Sequence, residues 1–363
     1  MIFSMTSAVV DGKIQEDIWI EVLNGIITGI GHGENVLSEK TYSGTLIPGF
    51  VDMHSHGAGG YYFADSDPTH VQIAINTHRS YGTTSILASL VTTDLVTLAS
   101  QIKSLSPLVK SGALVGIHLE GPYLSTAKCG AHDPALLRTP HLDEIKSLIE
   151  IGQGSIRMVT IAPELDGALI AIQWLVSQGV IAAIGHSDAD ADTARMAIDA
   201  GAKVVTHFTN AMSKSITNTS MATQVLNDSR VALELINDGT HVPSETISAM
   251  KANAGQRIVL VTDAMSAAGL SDGAYIIGKL DVLVENSIAR LVGSGALAGS
   301  TLTMDRAFIN FIEKDGFSLP DAVFAAATLP AQILGLNDVG SIKVGKKANL
   351  LNFDGKSVEL LTF

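Results

Sequence analysis

Cysteine is nearly absent from this chain, since Cys129 is the only one among its 363 residues. One cysteine cannot form an internal disulfide, so the fold must depend on its core, as is typical of a cytoplasmic protein. Apolar runs long enough to cross a bilayer, which would need about 20 residues, are also missing. The first residues lack the basic and apolar segments of a signal peptide, so we expect a cytoplasmic location.

Basic residues are scarce as well. Lys and Arg number 23 against 36 Asp and Glu, which gives a formal charge of −13. Nucleic-acid binders and polybasic membrane-surface proteins need clustered Lys and Arg, so we expect neither a nucleic acid nor a membrane as partner. Apolar residues make up 46% and charged residues 16% of the chain. That balance excludes a disordered protein and indicates a globular one.

Eight short apolar runs recur along the chain, each followed by a polar loop and most by a helix-like stretch. The runs are continuous rather than alternating, which is typical of strands buried on both faces of a parallel sheet. The runs occupy residues 49–53, 84–90, 114–119, 156–161, 180–184, 203–205, 231–236 and 258–261. Helices are expected over residues 68–80, 166–177, 190–200 and 243–252, with Asp166 and Asp190 as caps. Eight such units predict an α/β fold, a (β/α)8 TIM-like barrel, with an open doubly wound sheet as the alternative.

The two ends of the chain have a different pattern. Residues 1–47 alternate in hydropathy and carry turn signals at Asp11-Gly12 and Asn24-Gly25, which predict hairpins. Residues 340–363 have the same character. We therefore expect a small β-sandwich domain built from 1–47 plus 340–363, beside a barrel domain over 48–339. A further hairpin is expected over about Tyr275–Val292.

Polar side chains cluster where the predicted strands end, the place where a barrel carries its chemistry. His54 and His56 are two residues apart on a strand, so their side chains leave on the same face. Imidazole and carboxylate are ligands that suit Zn²⁺, Fe²⁺ or a similar ion. The ordered set predicts a divalent-metal site, with separate hydrogen-bonded core histidines as the alternative. The predicted metal ligands are His54, His56, Glu120, His186 and His207, and His241 and Asp263 follow the last two predicted strands.

The positions of Asp263 and His78 in the predicted elements indicate different roles for the two residues. Asp263 follows the last predicted strand, where a carboxylate can take a proton from water and give it to a leaving nitrogen. A helix cap or a hydrogen-bond partner of a ligand histidine is the alternative for Asp263. His78 lies in a predicted helix, so we expect it at the surface.

Several segments resemble a known family. The strand-one segment PGFVDMHSHG resembles the signature of the metal-dependent amidohydrolase superfamily. Four further segments make the resemblance more specific than the superfamily. They are HLEGPY over 118–123, the segment 206–212, VTDA over 261–264 and LAGSTLTM over 297–304. Together they resemble the N-acetylglucosamine-6-phosphate deacetylases, from about Leu46 to Leu351.

The resemblance implies a set of metal ligands. Glu120, His186 and His207 match the principal ligands of the family, and His54 with His56 matches the pair of a second metal position. Glu120 would take the bridging place that a carboxylated lysine fills in other amidohydrolases, and the predicted fourth strand has no lysine. The implied cofactor is Zn²⁺, with Fe²⁺ or another divalent ion as alternatives, one or two per subunit.

Catalytic and substrate contacts are implied in the same way. Asp263 matches the general base and acid of the family, and His241 matches the residue that contacts substrate and polarises the acetyl carbonyl. Asn210, Ala211 and His132 match substrate-binding positions.

The implied reaction is hydrolysis of the acetamide of N-acetylglucosamine 6-phosphate to glucosamine 6-phosphate and acetate, in amino sugar catabolism and cell-wall sugar recycling. A homodimer is implied too. Family members usually carry an arginine for the phosphate after the Asn-Ala-Met segment, but residues 213–221 contain none, and Lys214 is the candidate substitute. The alternatives are an isomer such as N-acetylgalactosamine 6-phosphate as substrate, another amidohydrolase activity, or a non-catalytic sugar-phosphate-binding barrel.

Overall fold

The computed structural model describes residues 1–33, 37–213 and 219–363. The strands are β1 (Ile2–Val10), β2 (Lys13–Leu23), β3 (Ile26–His32), β4 (Lys40–Pro48), β5 (Phe50–Asp52), β6 (Gly57–Ala58), β7 (Tyr61–Tyr62), β8 (Thr83–Val91), β9 (Gly116–Glu120), β10 (Ile156–Ile161), β11 (Ile181–Ile184), β12 (Val204–Val205), β13 (Ala232–Ile236), β14 (Ile258–Val261), β15 (Gly273–Ile277), β16 (Leu280–Glu285), β17 (Ile288–Leu291), β18 (Leu350–Phe353) and β19 (Val358–Leu360). The helices are α1 (Pro68–Ser80), α2 (Leu95–Lys110), α3 (Leu142–Gly152), α4 (Ala168–Ser177), α5 (Ala191–Asp199), α6 (Met221–Asn227), α7 (Ser244–Asn253), α8 (Met304–Glu313), α9 (Leu319–Val323) and α10 (Leu329–Ile333).

Eight parallel strands form the central sheet, in the order β5-β8-β9-β10-β11-β12-β13-β14. The first and last strands also meet, because a parallel bridge joins Ser55 to Ala264 and the Asp263 N–H donates to the His54 carbonyl at 2.8 Å. Asp52 supports this joint by accepting a hydrogen bond from the Thr262 hydroxyl at 2.6 Å. The barrel predicted from the eight apolar runs is therefore confirmed, and the open sheet is excluded.

The helices begin where local chemistry favours them. α1 starts at Pro68 behind Asp67, whose carboxylate accepts from the Thr69 N–H at 2.8 Å. Asp190 caps α5 in the same way, as predicted. Asp166 does not cap α4, because Gly167 stands before that helix in a left-handed conformation. None of the helices in the described ranges combines the length and the apolar character that a membrane span requires.

The core is divided between the two faces of the barrel wall. Apolar side chains that point outward from the strands pack against the surrounding helices in one large cluster. A smaller cluster fills the barrel interior and includes Val51, Met158 and Val259. Polar side chains replace this interior packing at the carboxyl ends of the strands. The buried apolar layer thus forms a firm floor below the site.

Strands from both termini meet in one six-stranded sheet, in the order β19-β18-β4-β1-β2-β3. A separate apolar cluster covers this sheet and includes Phe3, Ile18, Ile20 and Leu350. The chain ends therefore share a core of their own. The division of the chain into domains at residues 47/48 and 339/340 stays a prediction.

The insertion before the last helices is larger than the sequence predicts. The expected hairpin over about Tyr275–Val292 is a three-stranded antiparallel sheet, β15-β16-β17. The sequence analysis missed β15 in part because it begins before that range, at Gly273, and alternates between exposed and half-buried residues.

Two isoleucines on β2 test the terminal sheet. Ile18 is fully buried in its core, whereas Ile14 on the same strand is 50% exposed. We expect Ile18→Ala to lower the free energy of unfolding by about 2–5 kcal/mol through lost burial and a cavity. Ile14→Ala should change it by less than about 0.5 kcal/mol. Urea unfolding followed by circular dichroism measures both, and equal effects would contradict the assigned core.

Candidate metal centre and active site

The barrel strands deliver polar side chains to one cavity of about 300 Å³ at their carboxyl ends. Three of these residues have a left-handed backbone, with φ of 48° at His186, 30° at His207 and 47° at Asp263. Non-glycine residues seldom adopt this conformation, which costs of order 1–3 kcal/mol and clusters at functional sites. The chain thus turns sharply just as each strand ends.

A first group of ligand atoms comes from Glu120, His186 and His207. Glu120 Oε1 lies 3.2 Å from His186 Nε2 and 3.0 Å from His207 Nε2. The two ring nitrogens lie 3.0 Å from each other. Ligand atoms 2.0–2.1 Å from a tetrahedral zinc ion lie about 3.3 Å apart, so this triangle has the size of a metal-binding site.

A second group lies on the other side of Glu120. His56 Nε2 is 3.1 Å from Glu120 Oε2 and 3.2 Å from Asp263 Oδ1. His54 Nε2 is 3.4 Å from the same Asp263 oxygen and 3.5 Å from Glu120 Oε1. Glu120 therefore contacts both groups, with its carboxylate between them.

The donor set fits a divalent cation. His56 Nδ1 lies 3.1 Å from the Ser89 carbonyl and His186 Nδ1 lies 2.9 Å from the Lys128 carbonyl. A carbonyl can only accept, so each Nδ1 carries the proton and each Nε2 lone pair faces the centre, as in metal-binding histidines. His54 Nε2 is buried and has no hydrogen-bond partner among the described residues. A metal ion held by this ring would satisfy the nitrogen.

Electrostatics keep the two carboxylates ionised. Burial raises the pKa of Asp263, but the charge of His54 and a hydrogen bond to His56 outweigh it and lower the pKa to about 2. Burial acts the same way on Glu120, whose pKa the neighbouring histidines hold well below its usual range. Burial lowers the pKa of His186 to about 4, so that its imidazole is neutral. The two carboxylates are thus anionic and the His186 imidazole is neutral, which are the forms in which these groups bind a metal ion.

Substrate-facing positions complete the cavity. Nine of the ten residues predicted for the site line it, and His54 lies buried beneath. His132 Nε2 is 3.4 Å from Glu120 Oε2, and its Nδ1 is 2.8 Å from the Thr92 hydroxyl. The residues shared between prediction and cavity are His56, Glu120, His132, His186, His207, Asn210, Ala211, His241 and Asp263.

Two acidic residues at the site escaped the sequence analysis. Asp238 Oδ2 accepts from His241 Nδ1 at 2.7 Å and thereby orients that ring. Glu234 lies on β13 and accepts from His54 Nδ1 at 2.9 Å. The available signal for Glu234 was a single charge inside the apolar run 231–236, which the strand prediction passed over.

The prediction for His78 is wrong. Its side chain is buried, only 1% exposed, and its Nε2 lies 2.9 Å from the Ser55 hydroxyl and 3.1 Å from the Gly57 carbonyl. Burial lowers its pKa to about 4. The cause is tertiary, because α1 packs over the segment that carries His54 and His56, and a sequence pattern does not show that contact.

Lys214, the candidate substitute for the phosphate-binding arginine, lies outside the described residues. Within the described ranges, no lysine or arginine lines the cavity.

Comparison with known proteins supports a family assignment. The amidohydrolase family matches residues 45–363. The chain is 36% identical to an N-acetylgalactosamine-6-phosphate deacetylase of Escherichia coli O157:H7, covering 93% of this chain and 91% of that protein. It is 34% identical to an N-acetylglucosamine-6-phosphate deacetylase of Bacillus subtilis, covering 87% and 82%.

Solved structures agree with these relatives. A Mycobacterium smegmatis N-acetyl-D-glucosamine-6-phosphate deacetylase, determined in complex with N-acetyl-D-glucosamine-6-phosphate, matches with a TM-score of 0.96. That structure is 39% identical and the match covers 99% of this chain and 97% of the other. The similarity therefore extends over the whole fold described above.

Replacing Glu120 tests the shared carboxylate. Because its oxygens contact both ligand groups, we expect Glu120→Ala to lower bound metal to below about a tenth of the wild-type content. Elemental analysis of protein dialysed against a defined Zn²⁺ concentration measures this. Glu144→Gln, which removes a carboxylate paired with Arg138 at the surface, is the matched control. Unchanged metal content in Glu120→Ala would contradict the site.

Proposed function

This chain belongs to the amidohydrolase family, and from that premise we propose that it hydrolyses the acetamide of N-acetylglucosamine 6-phosphate to glucosamine 6-phosphate and acetate. The observation that carries the proposal is the Glu120 carboxylate between two groups of histidine nitrogens, with Asp263 beside them at the cavity. Deacetylases of N-acetylated amino sugar phosphates among the relatives support it. The activity belongs to amino sugar catabolism and cell-wall sugar recycling, in a cytoplasmic homodimer.

A divalent ion, Zn²⁺ first and Fe²⁺ as an alternative, would supply a Lewis acid here and would lower the pKa of water to about 7. The first ligand group, Glu120, His186 and His207, would hold one ion. His54 and His56 would hold a second ion, with Glu120 shared.

Asp263 is the proton carrier in this proposal. Its carboxylate is ionised, buried and on the cavity wall, so it can take a proton from the attacking water. The same oxygen atoms then return the proton to the nitrogen of the leaving amine, which departs as a neutral amine rather than an amide anion. A backbone hydrogen bond from Asp263 N–H to His54 fixes its position.

His241 is the proposed electrophilic partner of the acetyl group. Asp238 accepts from its Nδ1 and also from its backbone N–H at 2.9 Å. These contacts fix the orientation of the ring on the cavity wall, where a hydrogen bond from it to the acetyl oxygen would stabilise the negative charge that develops there. The pair works as a preorganised donor because both contacts already exist.

Asn210, Ala211 and His132 are the proposed sugar contacts. They line the cavity. Within the described ranges no lysine or arginine lines the cavity, so among these residues the phosphate would meet neutral donors and histidine rings. The overall charge of −13 adds a repulsive field to the approach of an anionic sugar.

N-acetylgalactosamine 6-phosphate is the second candidate substrate. The relative from Escherichia coli O157:H7, an N-acetylgalactosamine-6-phosphate deacetylase, matches at 36% identity over 93% of the chain and favours it. The two substrates differ in one hydroxyl configuration, so neighbouring polar side chains decide between them.

A substrate panel tests the proposed reaction. We expect acetate release from N-acetylglucosamine 6-phosphate with a kcat/KM at least about tenfold above that for the galactosamine isomer and for the unphosphorylated sugar. Chelation should abolish release and added Zn²⁺ should restore it. Higher kcat/KM for the galactosamine isomer would select the second candidate. Absence of release from every substrate in metal-loaded protein would favour a binding barrel.

Asp263→Asn separates the proton carrier from the metal ligands. We expect kcat to fall by roughly 10²-fold or more, because a positioned acid and base is lost. Metal content and folding should persist, and Asp281→Asn on the exposed side of β16 is the matched control. Turnover close to wild type in Asp263→Asn, measured by acetate release, would refute the assigned role.

A further inference from the structure

Glu234 is a buried carboxylate that the reaction described above does not use. Its side chain is completely buried in the barrel interior on β13. Oε2 accepts from His54 Nδ1 at 2.9 Å and from the His207 backbone N–H at 3.0 Å. Oε1 is buried and has no hydrogen-bond partner among the described residues.

This contact sets His54 apart from the other histidines of the centre. His56 and His186 each donate from Nδ1 to a neutral backbone carbonyl. His54 donates to a buried carboxylate instead. A carboxylate in this place fixes the tautomer, aims Nε2 at the metal and makes the ring a stronger ligand.

The burial of Glu234 also has an energetic consequence. An ionised carboxylate taken out of water costs several kcal/mol unless an opposite charge compensates it. Within the described ranges, the only ion pair of Glu234 is with His54 itself, at 2.9 Å. A cation held at His54 Nε2 would supply that compensation through the ring that Glu234 contacts.

The two contacts of Glu234 are unequal. It touches the ring of His54, a member of the second ligand group, but only the backbone of His207, a member of the first. Its charge consequently bears more directly on an ion beside His54. Loss of that charge should affect the two metal positions differently.

We propose that Glu234 is a positioning residue that holds His54 as a ligand and supplies the negative charge that retains an ion at the His54–His56 position. The inference rests on the proposed function only in requiring that the centre binds divalent ions. In this proposal, binding of the second ion depends on Glu234 as well as on the ligands His54 and His56.

The experiment is a Zn²⁺ titration of metal-free protein against a chromophoric chelator, without substrate. Wild type should bind two ions. In Glu234→Gln the weaker binding step should lose roughly 10–100-fold in affinity, while the other step stays within about threefold. Asp315→Asn removes a half-buried carboxylate that pairs with the Asn237 amide instead of a ligand ring, and should bind like wild type.

Melting temperatures separate positioning from a purely structural role. Because glutamine keeps an oxygen that can accept from His54 Nδ1, metal-free Glu234→Gln should remain folded and show a melting transition of its own. Saturating Zn²⁺ should raise its melting temperature less than it raises that of wild type. Glu234→Asp keeps the charge at a shorter reach and should bind the second ion between wild type and Glu234→Gln, which provides a second variant.

Three results would overturn the proposal. They are equal weakening of both binding steps, unchanged binding in Glu234→Gln, and a wild type that binds one ion only. Failure of the proposed reaction is a separate result. It would be seen as no acetate release from protein that holds two ions and still loses one in Glu234→Gln.

Discussion

Burial of negative charge at the end of a closed barrel is the constraint on which the rest of the site depends. Glu120 and Asp263 lie among histidine rings where water has little access, and the surrounding wall is apolar below them. Ionised groups persist in such a place only beside positive charge. Glu120 meets ring nitrogens on both of its oxygens, so a cation there serves all of them at once. A bound cation would thus compensate the free-energy cost of burying these carboxylates.

Closure of the barrel builds that arrangement. His54, His56 and Asp263 come from the first and last strands, more than 200 positions apart in the chain. The bridge from Ser55 to Ala264 and the bond between Asp52 and Thr262 join those strands below the site. Burial raises the pKa of Asp52 to about 7, although hydrogen bonds from Thr262 and His54 oppose it. These polar contacts hold the first and last barrel strands in register, and that register brings His54 and His56 next to Asp263.

Much of this was predictable, and the reason is local. Eight apolar runs identify the eight strands, because continuous burial is written into each run, and the strand ends identify His54, Glu120 and Asp263 as neighbours once the barrel is assumed. What escaped prediction depends on contacts between distant segments. His78 is buried because α1 lies over the end of β5, and Glu234 meets His54 across 180 positions. Asp166 does not cap α4 because Gly167, in a left-handed conformation, lies between it and the helix, and the sequence pattern does not show that turn.

The net charge of the chain repels an anionic substrate, whereas the metal centre would attract it. A protein with a formal charge of −13 repels a phosphorylated sugar at long range, yet screening confines that repulsion to about 8–10 Å in physiological salt. Within that distance the cavity presents histidine rings, the Asn210 amide and the site proposed for a dication. The described lining contains acids only where they face the histidines, so the remaining wall stays neutral. Recognition of an anionic substrate is then a short-range property of the metal centre and the neutral donors of the cavity. The same ions that compensate the buried acids would offset the negative charge of the protein where the substrate binds.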